Sequence, residues 1–215
     1  MSVLITGFGP YDGGSNASQA LVEAIAERRG EAERSAGEEV HTRILDVDTR
    51  RTPTLLLELM EELRPNRVLL CGQAVGRDRV ALERRAFNFL DFIVPDCMGQ
   101  RPRGACVLDG GPAFLDATWP DLDGAASALN TAGVPAYMSG HAGSHLCNQV
   151  FYTLLHDLGP AATCAVTFLH VPALPEQVAR GEPATQRVKN CPSMPLGLTQ
   201  RAVHMLLARS APARG

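Results

Sequence analysis

The chain has 215 residues, enough for one sizeable domain that buries its own core. Hydrophobic residues make up 45% and charged residues 20%, the balance of an ordinary globular protein. A net charge of -3, with no basic run and no aromatic-basic interleaving, argues against a nucleic-acid surface.

The opening MSVLITGFGP has no basic leader, and its apolar run is too short for a signal peptide or a membrane span. SVLITGF (Ser2–Phe8) is continuously apolar, as a strand buried on both faces should be. ASQALVEAIAERR follows with helical spacing, and the mixed-sign stretch AERRGEAERSAGEE (Ala26–Glu39) reads as a solvated helix end and loop. EVHTRILDV (Glu39–Val47) is a further strand, TPTLLLELMEELR a helix, and RVLLCG (Arg67–Gly72) a second buried strand. From Ala86 to Pro120 the chain is rich in Gly, Pro and Asp, which predicts a short hairpin and long loops. LDGAASALNTAG is helical, PAYMSG (Pro135–Gly140) a third buried strand, HLCNQVFYTLLHDLG a helix and TCAVTFLHV (Thr163–Val171) a fourth strand. The tail ARSAPARG is expected to fray. Strands alternating with helices of this length predict one domain over residues 1–215: an α/β fold, a three-layer α/β/α sandwich with a mostly parallel twisted sheet.

In such sheets ligands bind beyond the carboxyl ends of the strands. That rule singles out GFGPYDGG, GQAVGRDRVALE, GHAGSHLC and HVPALPEQ. The first is neither a GxGxxG nor a phosphate-binding loop. In the third, Ser144 is a good N-cap, and a helix starting there puts Cys147 in its first turn. Orphan N–H groups and the helix dipole at that place lower a thiol pKa, and the same groups suit a developing oxyanion. Cys147 reads equally as a small buried hydrophobe, as do most of the six cysteines. Widely spaced and without a CxxC pair, they are expected to be the free thiols of a cytoplasmic protein.

His170 ends the fourth strand, which the crossover rule sets beside or near the strand feeding Cys147, so an imidazole base is within reach of a thiol. Pro172 and Pro175 fix the chain where it leaves the sheet. Glu83, placed in a loop or short helix, would complete a Cys–His–acid arrangement, although the run ERR also reads as a solvated face. The competing pattern is a metal site of His141, His145 and Cys147. It lacks a fourth ligand, and Gly143 and Ser144 interrupt the helix that an i, i+4 histidine pair needs.

Read together, these segments resemble the pyroglutamyl peptidase I (pyrrolidone-carboxylate peptidase) family. LITGFGPYDGGSNAS is similar to that family's TGFxPFGG…NPS opening, and CGQAVGRDRVALERRAFN to its GQAxGRxxxxxExxAxN segment. IVPDCMGQRP and DGGPAFLDATWP follow the order of its PDNxGxxP and DGPxAxxSTLP segments. AGVPAYMSGHAGSHLCNQVFY resembles AGIPAxxSxTAGTFVCNxxxY, and FLHVPALPEQ resembles HVPxLPEQ. The resemblance covers nearly the whole chain. It implies a cytoplasmic cysteine exopeptidase, often a homotetramer, with no metal or cofactor. Its substrates would be peptides beginning with pyroglutamate, cleaved through a thioester. It places Cys147 on the nucleophile, His170 on the base and Glu83 on the carboxylate that orients it. Phe8 and Tyr11 match the aromatic residues that flank the lactam ring, Gln73 the glutamine whose main chain meets it, and Val94 and His145 further positions of the pocket.

Four positions depart from the pattern. His145 stands where the family carries Phe, His141 where it carries Thr, Tyr11 where it carries a second Phe, and Ile93 where an Arg associated with the oxyanion region is common. All lie around the substrate rather than among the catalytic residues. They imply a retained thiol mechanism with shifted specificity or lower turnover. The alternatives are a thiol amidase for another small lactam or N-blocked acyl group, and a catalytically silent ligand-binding homologue.

Overall fold

The structure, a computed structural model, describes residues 1–209. Its elements in chain order begin with β1 (Ser2–Phe8), α1 (Ala17–Glu27), α2 (Arg29–Ala36), β2 (Glu39–Leu45), α3 (Thr52–Leu63) and β3 (Arg67–Gln73). Next come β4 (Val80–Glu83), β5 (Arg85–Phe87), β6 (Phe114–Asp116), α4 (Leu122–Thr131) and β7 (Ala136–Ser139). The chain continues through α5 (Leu146–Leu158), β8 (Ala165–Val171), α6 (Pro175–Arg180), α7 (Pro183–Gln186) and α8 (Leu196–Arg209). Of the tail expected to fray, Ala208 and Arg209 close α8, and residues 210–215 lie outside the described residues.

Six strands form one sheet in the order β2-β1-β3-β8-β4-β7. β1, β2, β3 and β8 are mutually parallel, and their apolar runs are buried because helices cover both faces. On one face α1, α2, α4 and α8 pack through Leu21, Ala32, Leu129 and Leu206. On the other, α3 and α5 pack through Leu56, Phe151 and Leu154. This is the expected three-layer sandwich with a mostly parallel sheet.

The reversal at the β4–β7 edge departs from expectation. β4 runs antiparallel to β8, and β7 is parallel to β4, so the third buried strand opposes the other long ones. β8 lies between β3 and β4 rather than beside β7. Apolar content reports burial but carries no information on strand direction; β8 is near β7, as expected, with β4 between them. Glu83 ends β4 instead of lying in a loop or helix; four residues are too few to show a period. The charged stretch after α1 forms a second helix, α2. Its Ala32 and Ala36 face the core, while its charged side chains stay outside and Gly37 closes it at φ 71°.

In place of the short hairpin expected between β4 and α4, β5 pairs antiparallel with β6 across the long loop 88–113. That loop is pinned from outside its own span. Asp96, which also accepts from Met98 and Gln100 within the loop, accepts from the amide of Thr49, and the buried Asn148 of α5 exchanges hydrogen bonds with Phe87 and donates to Phe89 O. Loop 88–113 thereby becomes one wall of the cavity described next.

Candidate active site

At the carboxyl ends of β1, β3 and β8 a cavity of about 430 Å³ opens, within the usual size range of small-molecule sites. Phe8, Tyr11, Gln73, Val94, His145, Cys147 and His170 all line it. Glu83 lies behind His170, fully buried. The structure thus brings together every residue singled out for this site.

Cys147 occupies the first turn of α5, as expected, but the cap differs. His145, not Ser144, is the N-cap residue; its side chain makes no cap bond, and the Ser144 hydroxyl donates to Asp91 O at 3.0 Å. That bond ties the turn to loop 88–113. β7 ends at Ser139, level with Glu83 and two residues short of His170 along β8. The short segment 140–145 therefore delivers Cys147 to the cavity despite the reversed strand. Gly72 lies opposite His170 in the β3–β8 register. A Cβ at Gly72 would sit 2.9 Å from Cys147 Sγ and from the Phe168 ring, so only glycine leaves room for the thiol.

His170 is 4% exposed and donates from Nδ1 to Glu83 Oε1 at 2.7 Å, which leaves Nε2 as the basic nitrogen. The same Glu83 oxygen accepts from Arg77 Nη1 at 2.6 Å. Burial alone would push the Glu83 carboxyl up; the His170 hydrogen bond and the His170 and Arg77 charges outweigh it and hold the group below the ordinary carboxylate value. Burial likewise pulls His170 below the ordinary histidine value, against the opposing pull of Glu83 and with the help of Arg77 and His141.

The Cys147 thiol overturns an expectation. Burial, reinforced by the negative charge of Glu83, pushes it up to about 12 rather than down. The helix N-terminus is present, but withdrawing a thiolate from water outweighs its first-turn amides in the resting cavity. Thiol and imidazole therefore rest as a neutral pair, and deprotonation of sulfur requires the base.

The opposite wall sets neutral side chains against a main-chain carbonyl, and Asp91 also lines the cavity. Val94 O accepts from His145 Nε2 at 3.0 Å and from the Tyr11 hydroxyl at 3.2 Å, and the hydroxyl lies 2.9 Å from that nitrogen. The imidazole is stacked on Phe92, centroids 3.6 Å apart. Burial holds His145 below the ordinary histidine value and pushes Tyr11 up to about 12, so both are neutral at pH 7. His141 does not line the cavity; it accepts from Gly143 N and lies edge-on to Phe87. The histidines that suggested a zinc site thus have separate partners, and among the described residues no three His, Cys, Asp or Glu side chains are grouped to hold a metal ion.

Several positioning residues carried no separate signal. The side chain of the lining residue Gln73 accepts from Ala17 N at 2.5 Å and from Gln177 Nε2 at 3.0 Å, so Gln177 of α6 and the start of α1 hold it in place. Asn16 caps α1 and donates to Gly9 O, and Ser18 Oγ accepts from Phe8 N, fixing the β1 exit that presents Phe8. An Asn two residues before a Ser at a helix start was the available clue for that cap. Ile93 is 78% exposed at the rim.

The arrangement pairs a thiol with a basic nitrogen, an ionised carboxylate on the far side of the imidazole, and free helix N–H groups beside the sulfur. It has the parts for acyl transfer through a covalent thioester. The family model for pyroglutamyl peptidases matches residues 1–211. A pyrrolidone-carboxylate peptidase of Klebsiella pneumoniae is 38% identical over 185 residues, covering 85% of this chain and 84% of its own. One from Gloeobacter violaceus is 36% identical over 208 residues, covering 96% and 95%. The crystal structure of the pyrrolidone carboxyl peptidase of Thermus thermophilus superposes with a TM-score of 0.83 at 34% identity, covering 96% of this chain and 98% of its own.

Proposed function

The chain belongs to the pyroglutamyl peptidase family, and on that footing we propose that it is a cysteine exopeptidase releasing N-terminal pyroglutamate from peptides, with Cys147 as nucleophile, His170 as base and Glu83 as its orienting carboxylate. The observation that carries this assignment is Glu83 Oε1 held 2.7 Å from His170 Nδ1, with Nε2 left to a cavity that also holds the Cys147 thiol. His170 Nε2 takes the thiol proton as sulfur attacks the pyroglutamyl carbonyl. The N–H groups of the first turn of α5 receive the oxyanion. The imidazolium then protonates the departing amine, leaving a thioester. Water, deprotonated by the same nitrogen, hydrolyses it to free 5-oxoproline and the thiol. Phe8, Tyr11, Val94 and His145 wall the ring, and the Gln73 main chain meets the lactam.

Release of a chromophore from a pyroglutamyl amide tests the reading. Wild-type protein should cleave it and Cys147→Ala should not; wild-type protein inert towards that substrate would sink the assignment. The cluster of Tyr11, His145 and Val94 O supports a second reading, the same mechanism on a different small lactam or N-blocked acyl group. Amides of four-, five- and six-membered lactams separate the two. A silent ligand-binding role fits poorly with an assembled thiol, base and carboxylate.

The same kinship supports one domain over residues 1–215, a cytoplasmic location and a homotetramer. The single six-stranded sheet supports the first, and the absence of any disulfide among six free cysteines the second. The exposed Phe89, Ile93, Met98 and Phe114 of the segment 89–114 support the third, which sedimentation at several concentrations tests. Among the described residues no helix is long and apolar enough to cross a membrane.

A further inference from the structure

Glu83 has two partners on one oxygen, and the imidazole is only one of them. The other, Arg77, is held at three points. Its backbone closes the turn after β3, donating to Ala74 O at 3.2 Å, with Gly76 at φ +94° supplying the left-handed residue. Ala74 N donates in turn to Val171 O at 2.9 Å, so the turn is tied to the residue following His170. The guanidinium lies 5.9 Å above the Tyr137 ring of β7, and Arg79 lies 5.2 Å above the same ring. Its far end is the ion pair with Glu83, where Arg77 is 22% exposed and Glu83 0%.

Charge counting shows what this placement does. With Glu83 ionised and Arg77 absent, the buried set carries one negative charge when His170 is neutral, and none when it is protonated. Burial in low dielectric then favours the imidazolium, which cannot accept a thiol proton. With Arg77 present the counts reverse: the set is neutral with neutral His170 and carries a surplus positive charge with the imidazolium.

We propose that Arg77 is a positioning residue of this site, fixing the Glu83 carboxylate against His170 Nδ1 and supplying the fixed charge that leaves the resting imidazole neutral and able to act as a base. The inference rests on the assignment of Cys147, His170 and Glu83 as the catalytic set. The groups facing His170 are Glu83 from β4, Arg77 from the turn after β3, His141 from the segment after β7 and Cys147 from α5; Ser139 faces Glu83, and β3 offers only Gly72. The direction of each shift agrees: the Arg77 charge lowers Glu83, His170 and Cys147 alike.

The test is the histidine ring titration followed by NMR in wild type, Arg77→Gln, Arg77→Lys and Tyr137→Leu, beside the pH profile of kcat/KM. Arg77→Gln should raise the His170 midpoint by about one pH unit and move the acid limb of kcat/KM with it. Arg77→Lys, which keeps the charge, should restore most of the wild-type midpoint. Tyr137→Leu, which removes the platform and leaves Arg77 in place, should shift it the same way by a smaller amount, and it serves if Arg77→Gln does not fold. A midpoint unmoved in both Arg77→Gln and Tyr137→Leu overturns the proposal, as does a lysine variant that shifts as far as glutamine. Uniform loss of kcat/KM at every pH with an unmoved midpoint would mark Arg77 as structural and also overturn it. The NMR readout needs no turnover, so protein inert towards pyroglutamyl amides with a shifted Arg77→Gln midpoint would remove the substrate assignment and leave this inference standing.

Discussion

On one side of the cavity a buried carboxylate gathers an imidazole and a guanidinium on a single oxygen. On the other, a neutral imidazole lies flat on Phe92 and shares the Val94 carbonyl with a tyrosine hydroxyl. Both sides are polar and both contain histidine, yet they behave differently. His170 has an ionised partner, so its protonation is coupled to Glu83, Arg77 and the thiol. His145 has a carbonyl acceptor and an aromatic floor, so it is a shaped neutral surface over the same pH range. The lesson is that charge sits where a proton moves, and neutral hydrogen bonding sits where a ring is recognised. Substitutions on the first side should act on kcat and on pH dependence, and those on the second mainly on KM.

The sharpest break is Cys147→Ala, for which kcat/KM towards a pyroglutamyl amide should fall by at least about 10⁴-fold in a chromogenic assay, because the covalent step disappears. Glu83→Gln comes next. Its amide oxygen can take the Oε1 position and accept from both His170 Nδ1 and Arg77, but the negative charge that stabilises the imidazolium is lost. A drop in kcat of about 10³-fold with little change in KM is expected from steady-state kinetics. Gly72→Ala forces the thiol or Phe168 to move, and a misplaced sulfur should cost about 10²-fold in kcat with the fold retained by circular dichroism.

The pH profile sharpens the contrast further. Since the base must be neutral, activity should fall as pH drops through the His170 midpoint, which lies below the ordinary histidine value of 6.5. The Cys147 thiol, pushed up to about 12, should label with iodoacetamide more slowly in His170→Ala than in wild type at neutral pH, because the base is absent. The smallest effect belongs to the wall. His145→Phe leaves the charged side untouched and frees Val94 O from one donor. It should lower KM for a pyroglutamyl amide by about three- to tenfold with kcat nearly constant. A loss of kcat comparable to that of Gly72→Ala would erase the distinction between the two sides.

Much of this architecture was legible before any coordinates. β1, β3 and β8 stood out because strands covered on both faces are apolar at every position, and α1, α3, α4 and α5 because one buried face imposes a helical period. Cys147 at a helix start and His170 at a strand end followed from those elements, and family resemblance added Glu83. Arg77 lay in a quoted motif, but nothing about an arginine in a turn says which carboxylate it will meet 2.6 Å away. α2 was hidden because only Ala32 and Ala36 mark its buried face among charged neighbours.

By itself, then, the sequence determined the layers of the sandwich, the helix that carries the thiol and the residue types available to the site, since burial and periodicity are written locally. Tertiary structure alone decided that β4 and β7 run against β8, that Glu83 Oε1 serves two donors, and that burial outweighs the helix amides at Cys147. Strand direction, shared hydrogen bonds and the cost of desolvating a charge each depend on what the rest of the chain brings alongside, and no single segment contains that information.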